Sequence, residues 1–274
     1  MERCWSMGRG GLRVFYFLLK YVLLGPLLRL AFRPTVEGRE NVPASGGALM
    51  ASNHLAVIDS FVLPAMIRRR MTFPAKREYF IEPGFKGRLK KLFFTGAGQV
   101  PIDRSSGSAA QAALDTCVRL LREGNLVGIY PEGTRSPDGR LYKGKTGMAR
   151  MALEAGVPVI PVIMAGTDRA NPIGSKLWRP HKVRIKIGRP LDFSRYQGLA
   201  GDRFVERAIT DEIMYALMEL SGQIYVDTYA AKVKEDTEKA AGRGSGKTTR
   251  PHPAAVPEQS AAPDADRLPR TTVN

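Results

Sequence analysis

Residues 53–59, of sequence NHLAVID, place a histidine, His54, five positions before an aspartate, Asp59. The apolar run 48–51 before them is typical of a buried strand, and the apolar residues 60–63 after them can begin a helix. On a regular helix, positions i and i+5 lie roughly 140° apart. A contact between the two side chains therefore requires His54 in the turn before the helix and Asp59 at the helix N-terminus. A carboxylate that binds one ring nitrogen leaves the other free to act as a general base. The alternative interpretation is a surface turn closed by an Asp N-cap.

Composition favours one large globular domain with appendages in a reducing, cytoplasmic setting. The 274 residues are 43% hydrophobic and 25% charged, which is ordinary for a folded protein. The charge balance is not ordinary, because 42 Lys and Arg against 26 Asp and Glu give a net charge of +16. Such a surface favours phosphate groups on nucleic acid, anionic lipid or a phosphorylated substrate. The cysteines Cys4 and Cys117 have no paired spacing, and with three histidines in the chain we predict no disulfide framework and no metal site.

Residues 14–32 form a strongly apolar segment. As a helix, this segment would cover about 28 Å, close to a hydrocarbon core of about 30 Å. However, Lys20 interrupts it and Gly25-Pro26 breaks it, and a lysine at the centre of a spanning helix costs about 2.5–3.5 kcal/mol. We therefore predict that residues 1–34 form two short membrane-anchoring helices in one leaflet, each with a cationic edge that includes Lys20 in the first. The alternatives are a buried core helix and a signal peptide, and no small-x-small cleavage site follows the segment.

From about residue 35 to 240, short β-rich runs alternate with helical patterns. The predicted strands are 47–52, 71–75, 97–102, 126–130, 157–164 and 183–188, and the predicted helices are 108–123, 143–155 and 202–240. This alternation predicts an α/β domain with a largely parallel or mixed sheet flanked by helices. Pro158 and Pro161 predict an edge or bent strand at 157–164. Residues 241–274 are rich in Gly, Pro, Ser and Ala, and we predict a disordered tail.

Two further segments contain polar side chains at predicted strand ends. They are GQVPIDR at 98–104 and YPEGTRS at 130–136. In parallel sheets, ligands bind beyond the carboxyl ends of the strands, which would place Arg104 and Arg135 near His54. Arginine offers paired donors to phosphate, and Gly133-Thr134 can add amide and hydroxyl donors. The alternative for each cation is a solvated surface charge.

Other cations are grouped along the chain. Lys76 follows the predicted strand 71–75 and is a further phosphate-binding candidate. Residues 66–91 contain nine cations and residues 169–195 contain eight. Near an anionic leaflet each cation contributes about 1 kcal/mol, so these clusters are candidates for membrane contact. Ordinary solubilising charge is the alternative.

The blocks NHLAVID, GQVPIDR, YPEGTRS and VPVIPV, in this order and spacing, resemble those of the glycerolipid acyltransferases, and most closely the 1-acyl-glycerol-3-phosphate acyltransferase branch. The similarity runs from about residue 37 to residue 188. This resemblance implies that His54 and Asp59 form a catalytic dyad. It implies that the phosphorylated acceptor binds the residues Arg104, Glu132, Gly133, Thr134 and Arg135.

Two positions depart from the family pattern. Ala56 stands where the family often has a serine, and Tyr130 stands where it often has a phenylalanine. Neither departure changes the dyad, although Ala56 removes a hydroxyl group near it.

The resemblance implies an acyltransferase of phospholipid biosynthesis at the cytoplasmic face of the cell membrane. It would move a fatty acyl group from acyl-CoA or acyl-carrier protein to lysophosphatidic acid, giving phosphatidic acid, with no cofactor and no metal. The alternative within this class is another acceptor, such as glycerol 3-phosphate, another lysophospholipid or a lyso-aminolipid. Two other classes are a nucleic-acid-binding protein, for which no motif is present, and a catalytically silent membrane scaffold.

Overall fold

A computed structural model describes residues 9–102, 107–175 and 177–243 of the chain. Its helices are α1 (Arg9–Leu18), α2 (Leu24–Phe32), α3 (Asp59–Met66), α4 (Glu78–Ile81), α5 (Gly84–Gly96), α6 (Gly107–Arg122), α7 (Gly147–Ala155), α8 (Thr167–Ala170), α9 (Arg203–Ser221) and α10 (Ala230–Arg243). A π-helical turn, Leu19–Leu23, joins α1 to α2, and 3₁₀ turns occupy Arg39–Asn41 and Ser194–Tyr196. The strands are β1 (Thr35–Glu37), β2 (Ala48–Ser52), β3 (Met71–Lys76), β4 (Gln99–Ile102), β5 (Leu126–Ile129), β6 (Leu141–Tyr142), β7 (Val159–Ala165), β8 (Arg184–Ile187) and β9 (Tyr225–Val226).

Seven strands form one sheet in the order β1-β8-β7-β2-β5-β3-β4, and β6 pairs with β9 in a separate ribbon. Every neighbouring pair in the large sheet is parallel except β7 with β8. The carboxyl ends of β2, β5, β3 and β7 therefore meet at one edge, called the carboxyl edge below. The predicted α/β class with a largely parallel, mixed sheet is confirmed.

Strand β2 lies at the centre of the sheet and is buried along its whole length. Its residues alternate between two cores: Met50 packs with Leu63 of α3 on one face, and Leu49 packs with Met148 of α7 on the other. A strand covered by helices on both faces is apolar throughout rather than alternating, which explains the run ALM in β2. The loop that follows β2 is thus attached to the most rigid part of the sheet.

The proline-containing strand was predicted to be an edge strand or a bent one, and the edge position is wrong. β7 is central, with β2 on one side and β8 on the other. Pro161 forms only half of an antiparallel pair with β8: Gly188 N–H donates to the Pro161 carbonyl, and Pro161 has no N–H to return the bond. The next pairing joins Val159 to Leu191, so the ladder is irregular beside the proline.

Two helix predictions also require correction. The predicted helix 202–240 is two helices, because Gly222 ends α9 in the left-handed conformation at φ 69° and β9 follows it. The predicted helix 143–155 begins only at Gly147. The predicted disordered tail lies outside the described residues, apart from 241–243, which end α10.

The two predicted N-terminal helices are present but continuous through the π-helical turn. Residues Val14–Phe32 are long and apolar enough to cross a membrane by length and composition, and only 28% of the segment is buried. Its outward side chains include Val22, Leu23 and Leu30, each about two thirds exposed or more. A buried core helix does not leave such side chains in solvent.

Lys20 does not lie on a cationic edge as predicted. Its side chain is 4% exposed, and its ammonium group donates to the carbonyl oxygens of Ile67, Arg68 and Arg69. These carbonyls follow the C-terminus of α3, where the helix dipole favours a cation. Lys20 therefore fixes the N-terminal segment to the domain and leaves the apolar face outward.

Arg69, a member of the basic cluster 66–91, also has a structural role. Its guanidinium group donates to the carbonyls of Pro43, Gly46 and Gly124 at 2.7–2.8 Å. These bonds connect the loop before β2 to the loop before β5, so this cation holds the sheet together at the end opposite the carboxyl edge.

Candidate active site

His54 and Asp59 form the pair that their spacing predicts. His54 lies in the loop after β2, Asp59 is the first residue of α3, and His54 Nδ1 lies 3.0 Å from Asp59 Oδ2. With Nδ1–H donated to the carboxylate, Nε2 carries the lone pair. Within the described residues, Nε2 has no hydrogen-bond partner, and the His54 side chain is 15% exposed. The free nitrogen is therefore available to accept a proton at the carboxyl edge.

The Asp59 carboxylate is held in place by the backbone of the same loop. Its Oδ2 also accepts hydrogen bonds from Leu55 N–H at 2.8 Å and Ala56 N–H at 2.9 Å. The side chain is fully buried, and the two amide donors and the imidazole all bind the same carboxylate oxygen. The loop, the carboxylate and the imidazole are thus one rigid unit.

The His54 ring stacks on Tyr130, which follows β5. The two ring centroids are 3.7 Å apart and the rings are nearly parallel, at 8°. Phe73 of β3 also stacks on Tyr130, with the two ring centroids 5.3 Å apart. The Tyr130 hydroxyl lies 2.8 Å from Ser60 Oγ. Burial, followed by the nearby Asp59 charge, raises the pKa of Tyr130 well above its ordinary value, so the phenol stays neutral. Tyr130 fixes the plane of the imidazole.

We expect Tyr130→Phe to keep nearly normal transfer, since it keeps the ring stack and removes only the Ser60 hydrogen bond. Tyr130→Leu should lower kcat about tenfold with little change in KM, because an aromatic pair contributes about 0.5–1.5 kcal/mol that here orients the base. Steady-state kinetics of the two variants measure this difference. Equal kcat values in the leucine and phenylalanine variants would contradict an orienting role for the ring.

The side chain of Asn53 ties the catalytic loop, the name used below for the candidate-site loop 53–58 after β2, to β7. Its amide donates to the Met164 carbonyl at 3.0 Å and accepts from Met164 N–H at 2.8 Å, as a backbone pair would. The same amide donates to Gln223 Oε1 at 3.0 Å. On the other side, the His54 carbonyl accepts from Ser136 N–H at 2.7 Å. His54 is therefore held through its neighbours and its own backbone, independently of its ring.

Glu132 was predicted to bind the acceptor, and in the structure its carboxyl group is directed inward. The residue is 1% exposed, and its oxygens accept from His54 N–H at 3.3 Å and Tyr142 N–H at 2.9 Å. Burial raises the pKa of Glu132 to about 7, against the lowering effect of the two N–H donors and of Lys234. This geometry makes Glu132 a support for the catalytic loop, and a binding role remains a prediction.

The segment 133–135 lies at the carboxyl edge after β5. Gly133 has φ 72°, a conformation that favours glycine, and the Lys145 side chain lies against it. Thr134 Oγ1 accepts from Lys234 Nζ at 2.8 Å. Arg135 is partly exposed and forms no ion pair within the described ranges. Sequence reasoning did not single out Lys145, whose side chain lies against Gly133.

The side chains of two predicted site residues lie outside the described part of the structure. Lys76 ends β3, next to Ile102 at the end of β4, and its side chain is not described. Arg104 lies outside the described residues. Their predicted contacts with a phosphorylated acceptor stay predictions. Among the residues that the structure describes, no group of three or more His, Cys, Asp or Glu side chains is arranged to hold a metal ion.

Chemically, the arrangement supplies a candidate general base, His54, whose ring is held by Asp59. Arg135 lies on the segment after β5, and Lys145 lies against Gly133 of that segment. Within the described residues, no serine or cysteine side chain is hydrogen-bonded to His54 Nε2. The geometry suits proton abstraction from a hydroxyl group beside an anionic substituent.

Comparison with known proteins gives a consistent assignment. The sequence model of the family described as Acyltransferase matches residues 33–165, a range that contains the candidate residues from His54 to Arg135. A chloroplastic 1-acyl-sn-glycerol-3-phosphate acyltransferase from Arabidopsis thaliana is 32% identical over 173 residues, covering 62% of this chain and 47% of the relative. The corresponding protein of Bacillus subtilis is 28% identical over 191 residues, covering 69% and 88%.

The fold is also found in a solved structure. The crystal structure of the 1-acyl-sn-glycerophosphate acyltransferase PlsC from Thermotoga maritima superposes with a TM-score of 0.55 at 24% identity, covering 78% of this chain and 81% of that one. The chain spans about half the length of the plant relatives that it matches.

Proposed function

Because the chain belongs to the acyltransferase family through residues 33–165, we propose that it transfers a fatty acyl group to the free hydroxyl group of lysophosphatidic acid, yielding phosphatidic acid. The observation that supports this function best is the His54–Asp59 pair with Nε2 free at the carboxyl edge. The acyl donor is a thioester, either acyl-CoA or an acyl-carrier protein.

The reaction is a direct transfer. His54 Nε2 takes the proton of the acceptor hydroxyl, and the oxygen attacks the thioester carbonyl. The carbon–sulfur bond breaks, and the leaving thiolate takes the proton back from the imidazolium. Asp59 stabilises the imidazolium while it exists, and a positioned general base contributes about 10²–10⁴-fold in rate.

The acceptor phosphate binds the cations beside the base. Arg135 supplies paired donors, the Gly133-Thr134 backbone and hydroxyl add others, and Lys145 lies over Gly133. Lys76 and Arg104 complete the predicted set from the neighbouring strands. A phosphate held there brings the glycerol hydroxyl of the same molecule to His54.

The experiment is an assay of purified protein with labelled acyl-CoA and labelled acyl-carrier protein on a panel of acceptors. The panel contains lysophosphatidic acid, glycerol 3-phosphate, a neutral-headgroup lysophospholipid and a lyso-aminolipid. Label in phosphatidic acid is the expected product. Label in another product instead would assign the alternative acceptor, and no transfer from either donor would contradict an acyltransferase.

The N-terminal segment associates the enzyme with the cytoplasmic face of the membrane in which its acceptor resides. We expect the double variant Val22→Glu, Leu30→Glu to reduce binding to vesicles of phosphatidylcholine and phosphatidylglycerol at least tenfold, since burying one such side chain contributes about 1.5–3 kcal/mol. Sedimentation with vesicles measures this. Phe204→Glu, at an 87% exposed position of α9, is the matched control, and equal loss in both variants would contradict a specific membrane face.

A further inference from the structure

A cavity lies on the opposite side of the catalytic loop from Tyr130. It has a volume of about 580 Å³ and is lined by the end of β7, the start of β8 and residues from the loops around them. This volume is in the range of small-molecule and cofactor sites. None of the predicted site residues lines it, so the proposed function does not yet use it.

The cavity adjoins the reacting centre through the backbone. Leu55, the residue after His54, is part of its wall. Met164 and Gln223 also line it, and both are bonded to the Asn53 side chain, the residue before His54. A ligand in this cavity would therefore contact the loop that holds the general base.

The lining is strongly cationic. Five basic side chains face it against one acid, Asp168: they are Arg33, Arg169, His181, Lys182 and Arg184. These belong to separate parts of the chain, the end of α2, the end of α8 and the segment that enters β8. Their convergence on one volume is a product of the fold and not of a local run of charge, and it favours a ligand with several negative charges.

The backbone at this cavity has two unusual features. Gly166 has φ 88°, and a Cβ there would lie 2.5 Å from the Lys182 carbonyl oxygen and 3.2 Å from His181 Cδ2. The absence of a side chain thus lets the 181–182 segment close one wall. Arg33, with φ 40°, is the one non-glycine residue with positive φ in the described part of the chain. It is the left-handed C-cap of α2, so the end of that helix places this residue at the cavity.

We propose that this cavity binds the phosphate groups of the acyl donor, the phosphopantetheine phosphate that acyl-CoA and acyl-carrier protein share. The inference rests on the proposed function. Direct transfer of an acyl group from a thioester to a hydroxyl group needs both phosphate-bearing substrates at the same time. The structure has a basic cluster on each side of His54. Arg135 and Lys145 lie on the β5 side and receive the acceptor, and the cavity lies on the β7 side. The flexible pantetheine arm passes over the catalytic loop and brings the thioester to Nε2.

The kinetic test uses Arg169→Gln and Arg184→Gln, singly and together, with both donors. Each substitution should raise the donor KM about tenfold, because a charge-assisted hydrogen bond to phosphate is lost, with kcat and the lysophosphatidic acid KM changed less than twofold. Arg189→Gln is the matched control, since Arg189 is exposed beyond the far end of β8 and does not line the cavity. A rise for both donors is the expected result, and a rise for acyl-CoA alone would overturn the shared phosphate as the ligand of this cavity.

Direct binding separates this proposal from the proposed function. 4′-Phosphopantetheine should bind the inactive His54→Ala protein in isothermal titration calorimetry, and adding Arg169→Gln and Arg184→Gln should weaken that binding at least tenfold. This readout needs no turnover, so it stands even if lysophosphatidic acid is not the acceptor. An unchanged KM for both donors would overturn the proposal. It would also be overturned if the variants raised only the acceptor KM, or lowered only vesicle binding.

Discussion

Replacing His54 with alanine is expected to lower kcat for acyl transfer about 10²–10⁴-fold, because the variant has no group that can take the acceptor proton. The fold should survive the change. The backbone N–H of residue 54 is bonded to Glu132 and its carbonyl to Ser136, and neither bond uses the ring. The measurement is the initial rate with labelled acyl donor, together with the thermal midpoint and vesicle binding of the same preparation.

The chain offers a matched control and a sharper form of this test. His252→Ala removes an imidazole from the C-terminal segment and should leave the rate unchanged. In His54→Ala the space against Tyr130 is opened, so added imidazole should restore part of the rate. A His54→Ala protein with nearly normal kcat would contradict the assignment of the base. Loss of the thermal transition together with activity would show that the ring is structural.

Local features of this site could be predicted from the sequence. The contact between His54 and Asp59 follows from helix geometry, since residues five apart meet only when the first precedes the helix. The strand at 47–52 follows from its apolar run and its bounding turns. Both inferences depend on residues that are close in sequence, and the structure confirms both.

Features that depend on distant partners could not be predicted in the same way. Lys20 is buried because carbonyls of residues 67–69 surround its ammonium group, and no pattern near residue 20 indicates them. Glu132 is directed inward because the N–H groups of His54 and Tyr142 meet its carboxylate. An acid in a strand-end loop has the same local sequence whether it faces a ligand or the interior.

Pro161 shows a third limit. A proline argues against a central strand because it lacks an N–H donor, and this rule is sound for an uninterrupted ladder. Here the β8 side of the ladder is incomplete at the proline and irregular beyond it, so β7 is central without being fully paired. The sequence could not distinguish this arrangement from an edge strand, because the pairing also depends on the partner strand.

The second large effect concerns Asp59, for which two substitutions separate catalysis from stability. Asp59→Asn keeps an oxygen for the N–H groups of Leu55 and Ala56 and for the imidazole, so the loop should keep its conformation. The negative charge that stabilises the imidazolium is lost. We therefore expect kcat to fall about 10²–10⁴-fold, which is the rate contribution of a positioned general base. The thermal midpoint should change little.

Asp59→Ala should lose activity and stability together. It leaves two buried N–H groups, those of Leu55 and Ala56, without an acceptor, and each unsatisfied group costs about 1–3 kcal/mol. Denaturant unfolding of the two variants beside the wild type measures the difference. An asparagine variant with high activity would show that the carboxylate only shapes the loop. An asparagine variant as unstable as the alanine variant would show that the charge, and not the oxygen, holds the loop together. The expected result is an inactive but stable Asp59→Asn protein, because in this site the oxygen binds the backbone and the charge acts on the imidazole.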